Sequence, residues 1–161
     1  MISQPMLSNI GLVTETITSY SISVRTIDTT TGNPGFTIVE KTVWYYANGG
    51  TWSNTDSIQT LYMNGSGTSG ALRLKNGAGE QFLVLLGVHN YKRWCDIVTD
   101  LEPGDTGMKI QPDYYSKTNP RYDMLWKQLD QIKKKSAKGT TVDVKYVEAE
   151  GNSLVVHLTI S

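Results

Sequence analysis

In positions 154–160 every second residue is apolar, so Leu154, Val156, Leu158 and Ile160 share one face of an extended chain. The side chains of a β-strand point alternately to its two faces, and this spacing therefore predicts a strand with one buried face. A helix would instead repeat its apolar residues every three or four positions. Because one strand cannot bury its own apolar face, such a chain must build a sheet that packs against a second layer.

Further segments with the same alternation recur along the chain, and clusters of Gly, Asn, Asp or Pro separate them. The predicted strands are 20–25, 36–46, 57–63, 71–75, 80–88, 93–98, 141–148 and 154–160. Two of the turns between them, Asn76-Gly77 and Glu150-Gly151-Asn152, contain residues that tolerate a positive φ and are predicted to close hairpins. So many short strands indicate a mainly β domain, either a sandwich or a barrel.

The segment that follows residue 118 departs from this pattern. Asn119 is a favourable helix cap, Pro120 suits a first helical position, and apolar residues then recur at helical spacing. These apolar residues are Tyr122, Trp126, Leu129 and Ile132. We therefore expect a helix from about 120 to 135, with basic residues 133–135 in its last turn. The seven basic and two acidic residues between 117 and 138 form either a patch for an anionic partner or a solvated surface.

Composition excludes several classes of protein. The chain of 161 residues fits one domain, and its 15 Lys and Arg balance 15 Asp and Glu, which gives no bias toward nucleic acid or an anionic membrane. Its apolar runs are far shorter than the roughly 20 residues that cross a bilayer. No basic residue precedes Arg25 and Glu15 interrupts the first apolar stretch, so we expect no secretory signal and a soluble, cytoplasmic protein. Cys95 is the only cysteine, which excludes an internal disulfide.

Two features that look like catalytic or cofactor sites have simpler explanations. Residues 65–70 match the dinucleotide-binding pattern, but a strand-like segment follows where a helix is required, so they are interpreted as a small-residue loop that a polar ligand can approach. His89 and Cys95 could form a nucleophilic pair, yet Cys95 lies in an apolar strand and is expected to be buried. The histidines and the cysteine lack metal-binding spacing and the acidic residues are not paired, so no cofactor and no enzymatic activity are expected.

Several stretches carry more information than composition does. They are KTVW at 41–44, YANGGTW at 46–52, Met63 with GSGTSG at 65–70, GVHNYKRWCDIVT at 87–99, YY at 114–115, AKG at 137–139 and EAEGN at 148–152. Together they resemble the fungal fruit-body lectin family, and the similarity runs from about residue 20 to residue 160. The chain is thus expected to comprise an N-terminal extension, residues 1–19, and one lectin-like domain, residues 20–161.

The resemblance implies an actinoporin-like β-sandwich of two antiparallel sheets with a helix–loop–helix connection, assembled as a homotetramer. It also implies two sugar sites per subunit and multivalent binding to glycans on glycoproteins or cell surfaces, with agglutination and a role in defence. The positions that match the site for galactosyl-β1,3-N-acetylgalactosamine, the T-antigen disaccharide, are Ala47, Ser66, Gly67 and Asn90, with His89 adjacent. The positions that match the site for terminal N-acetylglucosamine are Asp96, Ile97, Thr99 and Arg121.

The same residue types suit sugar recognition on chemical grounds. A sugar presents a ring of paired donors and acceptors, so its site needs small residues for close approach together with backbone N–H groups and Asn, Asp or Ser side chains. The alternatives are that Ser66 and Gly67 only form a turn, that Asn90 only caps a strand edge, and that Asp96 and Arg121 only form a surface ion pair. Three tryptophans in predicted strands are expected in the core rather than in a sugar site, namely Trp44, Trp52 and Trp94.

One position departs from the family pattern in the second site. Counting from Arg121, with one inserted residue allowed near Pro120, Ile132 stands where the family carries a tyrosine that faces N-acetylglucosamine. An isoleucine cannot donate the phenolic hydrogen bond, so this site is expected to bind more weakly or to have an altered preference. With a different placement of the insertion, Tyr115 or Tyr122 could supply the missing hydroxyl.

Residues 1–19 support a different hypothesis about function. They contain an apolar stripe at helical spacing formed by Ile2, Met6, Ile10, Val13 and Ile17. In an actinoporin-like fold such a segment could insert into a membrane, which makes a pore-forming cytolysin the alternative function. Its many β-branched residues, Pro5, Gly11 and the lack of basic residues disfavour a membrane helix. We therefore expect no membrane insertion, and a tail or an arm packed on a neighbouring subunit instead.

Overall fold

The protein was studied as a computed structural model that describes residues 19–32, 35–44 and 49–161. The apolar stripe of the N-terminal extension and Ala47 lie outside the described residues. The strands are β1 (Tyr20–Asp28), β2 (Thr37–Trp44), β3 (Gly50–Thr55), β4 (Ile58–Met63), β5 (Ser69–Lys75), β6 (Gln81–His89), β7 (Lys92–Val98), β8 (Gln131–Lys135), β9 (Thr141–Glu148) and β10 (Ser153–Ile160). The chain is therefore mainly β, as its alternation predicts.

The strands form two sheets that pack face to face. One sheet has six strands in the order β3-β4-β1-β10-β9-β8, and the other has four in the order β2-β5-β6-β7. Neighbouring strands are antiparallel except for β1 and β10, which pair in parallel at the centre of the six-stranded sheet. The sandwich expected from the sequence is thus confirmed. Its first and last described strands, β1 and β10, form the parallel pair.

The apolar face of β10 explains why the sheets associate. Leu154, Val156, Leu158 and Ile160 are at most 2% exposed and pack between the sheets with β1, β6 and β9. Burial of such side chains stabilises a fold by roughly 25 cal/mol for each Å² of apolar surface removed from water. Strand β6 is buried on both of its faces, because every residue from Gln81 to Val88 is buried. Both faces of the four-stranded sheet are therefore covered.

A helical connection between β7 and β8 covers the outer face of the four-stranded sheet. It contains helix α1 (Gly107–Ile110), the 3₁₀ turns Gln111–Tyr115 and Pro120–Tyr122, and helix α2 (Asp123–Lys127). Its apolar residues pack on those of the sheet in a second core that consists of Ala71, Leu83, Leu85, Trp94, Ile110, Tyr114 and Leu125. No helix in the described part of the chain is long and apolar enough to cross a membrane.

Polar anchors hold this connection in place. The carboxylate of Glu40 accepts hydrogen bonds from the backbone N–H groups of Gly107 at 2.7 Å and Met108 at 3.3 Å, and it pairs with Arg73 Nε at 2.7 Å. Gln111 Nε2 donates to the carbonyl oxygen of Ser69 at 3.1 Å. The two bonds to Glu40 satisfy the first N–H groups of α1, which would otherwise be orphaned at the helix start.

The expected helix over 120–135 is only partly correct. Asn119 does cap it, because its side chain accepts from Arg121 N at 2.9 Å, but the helix ends at Lys127. Gln128 then adopts the left-handed conformation with φ 49° and ψ 47°, and β8 begins at Gln131. Strand β8 pairs with the edge of β9, and these tertiary hydrogen bonds override the local helical spacing.

The lysines assigned to a helix end therefore lie on an edge strand. Lys133 and Lys135 are exposed on β8, whereas Ile132 and Lys134 are half-buried on its other face. Charged side chains on an edge strand oppose pairing with other chains. This placement is a structural reason for the cluster of basic residues in the sequence.

The tryptophans and the cysteine of the predicted strands differ in burial. Trp94 is fully buried and Trp52 packs against the core, but the prediction for Trp44 is wrong, since it is 36% exposed and stacks on Tyr115. Trp44 lies at the end of an edge strand, where no sheet covers it. Cys95 is fully buried, and burial raises the pKa of its thiol to about 12, so it behaves as a small apolar residue.

Gly70 provides a test of how closely the sheets pack. A Cβ atom at this position would lie 2.6 Å from Cζ2 of Trp52 and 2.9 Å from Cδ2 of Leu61. We expect Gly70→Ala to lower the free energy of unfolding by about 1–3 kcal/mol, because both neighbours would have to move. Urea unfolding, followed by tryptophan fluorescence, should show a lower midpoint concentration of urea and an unchanged m-value.

Gly104→Ala is the matched control, because nothing lies within 4 Å of a Cβ atom built there. Its midpoint should not fall. Equal stability of the two variants would contradict the close approach of the sheets at Gly70.

Candidate functional site

The β4–β5 loop and the β6–β7 hairpin meet at one end of the sandwich. They do so because Ser69, at the start of β5, pairs with Gly87 near the end of β6. Hydrogen bonds extend the pairing beyond β5, from Gly67 N to the carbonyl oxygen of Val88 at 2.8 Å and from Val88 N to that of Thr68 at 3.1 Å. The loop of small residues is therefore fixed against the hairpin.

Asn90 lies at the tip of this hairpin. Asn90 and Tyr91 are the two residues between β6 and β7, and both have positive φ, 49° and 65°, as a type I′ turn requires. Both are exposed. Ser66 Oγ accepts a hydrogen bond from Tyr91 N at 2.9 Å, which ties the loop to the turn. The structure thus brings together Ser66, Gly67, His89 and Asn90, four of the five residues predicted for the disaccharide site.

His89 forms the base of the hairpin, where it contacts the end of α2. Its ring contacts the indole of Trp126 in a T-shaped arrangement, with the ring centroids 4.6 Å apart and the planes at 88°. Gln128 Nε2 donates to the His89 carbonyl oxygen at 2.7 Å. Burial lowers the pKa of the His89 imidazole, so the ring is neutral at neutral pH.

The residues predicted for the second site lie on β7 and in the helical connection. Asp96 is only 3% exposed, and the hydroxyl of Tyr114 donates to its Oδ2 at 2.6 Å. Burial, followed by the charge of Asp96, raises the pKa of Tyr114 well above its usual range, so this phenol stays protonated and remains a donor. Lys134 Nζ lies 3.4 Å from Asp96 Oδ1 and donates to the carbonyl oxygen of Ile97 at 2.6 Å.

Two shallow cavities adjoin at Arg121. Asp96, Arg121, Ile132 and Lys134 line one of about 400 Å³. Thr99 and Arg121 line the other, of about 480 Å³. Of the four predicted residues, three therefore border these two depressions, which share Arg121. The side chain of Ile97 is fully buried, so only its backbone can take part.

An ion pair between Asp96 and Arg121, the structural alternative for these residues, is wrong. Asp96 pairs with Lys134, while Arg121 Nε lies 3.7 Å from Asp113 Oδ2 and its guanidinium lies 5.8 Å from the ring centre of Tyr114. Tyr115 does not replace the missing phenol in this cavity, because its hydroxyl donates to Ser69 Oγ at 2.7 Å. Ile132 does border the cavity, but it reaches it from strand β8 rather than from a helix.

Sequence reasoning missed four residues that shape these sites. They are Tyr114, Trp126, Gln128 and Lys134. The helical spacing predicts Trp126 on the apolar stripe, yet it is 52% exposed, and its neighbour Leu125 occupies the core instead. A closer reading of YY at 114–115 could have identified Tyr114, whereas the left-handed conformation of Gln128 leaves no signal in the sequence. Within the described ranges no group of three His, Cys, Asp or Glu side chains could hold a metal ion.

Comparison with known proteins identifies relatives of the whole domain. The profile of the fungal fruit body lectin family matches residues 18–158. The chain is 48% identical to the lectin of Boletus edulis over 143 residues, which cover 89% of this chain and 99% of that protein.

Solved structures agree with this relationship. The wild-type lectin of Xerocomus chrysenteron superposes with a TM-score of 0.84 at 48% identity, covering 89% of this chain and 99% of that one. The lipid-binding protein Nakanori, at 9% identity and a TM-score of 0.51 over 98% of this chain and 77% of its own, shares the fold alone. The chain therefore belongs to the fungal fruit body lectin family and is a non-enzymatic carbohydrate-binding protein.

Proposed function

We propose that the Ser66–Asn90 end of the sandwich binds the disaccharide galactosyl-β1,3-N-acetylgalactosamine. The observation that supports this most is the hydrogen bond from Tyr91 N to Ser66 Oγ, which joins the small-residue loop to the type I′ turn. Asn90 offers a donor and an acceptor on an exposed turn, and Gly67 lets a sugar approach the backbone closely.

The rigidity of this end favours binding of a small neutral ligand. Both parts of the site are short connections, and backbone hydrogen bonds to Val88 hold the loop in register. A preformed site loses little conformational entropy when the sugar binds, so a few hydrogen bonds are enough for measurable affinity.

A second site for terminal N-acetylglucosamine is proposed at the cavity bordered by Asp96 and Arg121. Asp96 is held by Tyr114 and Lys134 at the floor, while Arg121 lies at the rim between the two cavities. Ile132 faces the same cavity and presents only an apolar side chain. The site therefore keeps charged hydrogen-bonding groups but lacks one phenolic donor, which lowers its affinity for the sugar.

The proposed biological activity follows from multivalency. A homotetramer with these sites would crosslink glycoproteins or cell surfaces, since linked sites raise overall binding by roughly 10²–10⁴ over a single site. A cytoplasmic lectin released from damaged tissue would act in defence.

The first test removes the Asn90 carboxamide without straining the turn. Asn90→Gly keeps the positive φ, and we expect affinity for the disaccharide to fall by about 2- to 13-fold for each hydrogen bond lost, which abolishes detectable binding at a weak site. Ser66→Ala should have a similar effect, because it also releases Tyr91 N. Calorimetric titration measures both.

Asp56→Gly is the matched control for this test. Asp56 and Ser57 form a two-residue turn with φ values of 51° and 66° between β3 and β4, remote from the Ser66–Asn90 end. Its binding should equal that of the unmodified protein. Unchanged binding by Asn90→Gly would remove Asn90 from the site.

The second test restores the missing phenol with Ile132→Tyr. We expect affinity for chitobiose to rise by about 2- to 13-fold, as one hydrogen bond to a sugar hydroxyl provides. Ile132→Phe supplies the same ring without the hydroxyl and should give a smaller gain. If the unmodified protein, Ile132→Tyr and Ile132→Phe bind chitobiose with equal affinity, position 132 does not contact the sugar.

The third test separates crosslinking from membrane damage. Vesicles that carry the disaccharide and enclose a dye should be agglutinated without release of the dye, and the active species should sediment as an oligomer. Agglutination by a monomer would contradict the multivalent mechanism. Release of dye would favour the cytolysin hypothesis.

A further inference from the structure

Trp126 is the most exposed of the four tryptophans. It is 52% exposed, against 36% for Trp44 and none for Trp94, while Trp52 packs against the main core. Its neighbour on α2, Leu125, is fully buried, so the helix directs one large apolar side chain into the core and the next one outward. The exposed ring makes no contribution to the second core that Leu125 joins.

The position of Trp126 is nevertheless fixed. Its indole contacts the His89 ring, with the two planes nearly perpendicular and the centroids 4.6 Å apart. Directly after α2, Gln128 is held by two hydrogen bonds to the β6–β7 hairpin, from Gln128 Nε2 to the His89 carbonyl oxygen at 2.7 Å and from Arg93 Nη1 to the Gln128 carbonyl oxygen at 2.8 Å. A side chain held in this way loses little freedom when a ligand packs on it.

This aromatic side chain contacts His89, one of the residues predicted for the disaccharide site. His89 immediately precedes Asn90, and Tyr91 in the same turn donates to Ser66. The hairpin therefore presents hydrogen-bonding groups at its tip, while α2 adds an aromatic wall at its base. Sugar sites combine the same two elements, a few placed polar groups and an apolar surface.

We propose that Trp126 is a specificity-determining residue of this site, which packs its indole against the apolar face of the galactosyl ring. The inference rests on the proposed function of the Ser66–Asn90 end. In galactose the axial 4-hydroxyl group leaves the hydrogens of C3, C4 and C5 together on the opposite face, and these form an apolar patch. Glucose has an equatorial 4-hydroxyl and lacks that patch, so an indole beside the hydrogen-bonding loop selects galactose.

His89 supports Trp126 in this arrangement. Its imidazole is partly buried and neutral, and its edge-on contact orients the indole without adding a charge next to an uncharged sugar. Edge-to-face contacts of this type contribute about as much as one hydrogen bond. His89 is accordingly a positioning residue for the aromatic wall.

The test compares three variants of the full chain in titrations with galactosyl-β1,3-N-acetylgalactosamine. Trp126→Phe keeps an aromatic face and should retain most of the affinity. Trp126→Leu still shields His89 but has no aromatic face, and together with Trp126→Ala it should lose roughly tenfold. Thermal unfolding of each variant confirms that the fold is kept, as expected for a side chain that is 52% exposed.

A second readout reports on the contact itself. In saturation-transfer NMR the H3, H4 and H5 protons of galactose should receive saturation from the unmodified protein and from Trp126→Phe, but not from Trp126→Leu. A purely structural role of Trp126 would leave this pattern unchanged.

The outcomes distinguish the inference from the function on which it rests. If the unmodified protein and Trp126→Leu bind the disaccharide with equal affinity, Trp126 does not pack on the sugar, and the proposed site at Ser66 and Asn90 stands. If the unmodified protein does not bind the disaccharide, the proposed function and the inference both fail. Equal losses for Phe and Leu would also overturn the inference, because they would trace the effect to side-chain size rather than to the aromatic face.

Discussion

The central strands of the four-stranded sheet, β5 and β6, are buried on both faces, and the geometry of the candidate sites depends on that burial. The six-stranded sheet covers one face, and the helical connection covers the other, so β6 has no exposed residue from Gln81 to Val88. Helical backbone can lie against a sheet only if its terminal N–H groups find acceptors. Glu40 provides them for α1, and Arg73 holds the same carboxylate, which makes this cluster the point where the connection is fastened to the sheet.

The helical connection packs on the sheet and thereby brings its polar and aromatic side chains into contact with the β6–β7 hairpin and with β7. At the hairpin end it places Trp126 and Gln128 against His89, next to the turn that carries Asn90. Along β7 it places the Tyr114 hydroxyl on Asp96, a carboxylate that would otherwise stand on an open sheet face. A buried carboxylate needs hydrogen bonds or an opposite charge nearby, and here Tyr114 donates to Oδ2 while the Lys134 ammonium lies 3.4 Å from Oδ1. Part of each candidate site thus depends on the helical connection packing on the sheet.

The error over residues 120–135 has a clear physical cause. Residues with apolar side chains every three or four positions are compatible with a helix, but Ile132 and Lys134 also share a face when the chain is extended, and β9 offers an open edge for pairing. The left-handed conformation of Gln128 redirects the chain toward that edge. Ile132 therefore reaches the cavity of Asp96 from a strand. Ile132 thus borders the same cavity as Asp96 and Arg121, although it does not lie on the predicted helix.

The sequence by itself determined eight of the ten strands, the mainly β class and the family, because alternation with period two is local and the block at 87–99 is specific. The family resemblance also assigned Ser66, Gly67 and Asn90 to one predicted site, and the structure brings these three residues to the same end of the sandwich. Strand β3 was missed, because its polar residues show no apolar alternation. Only the tertiary structure decided where the chain leaves α2, which partner satisfies Asp96, and which tryptophan remains exposed. Those outcomes depend on packing between segments distant in sequence, such as Trp126 against His89 and Lys134 against Asp96, and no local pattern records which distant surface a side chain will meet.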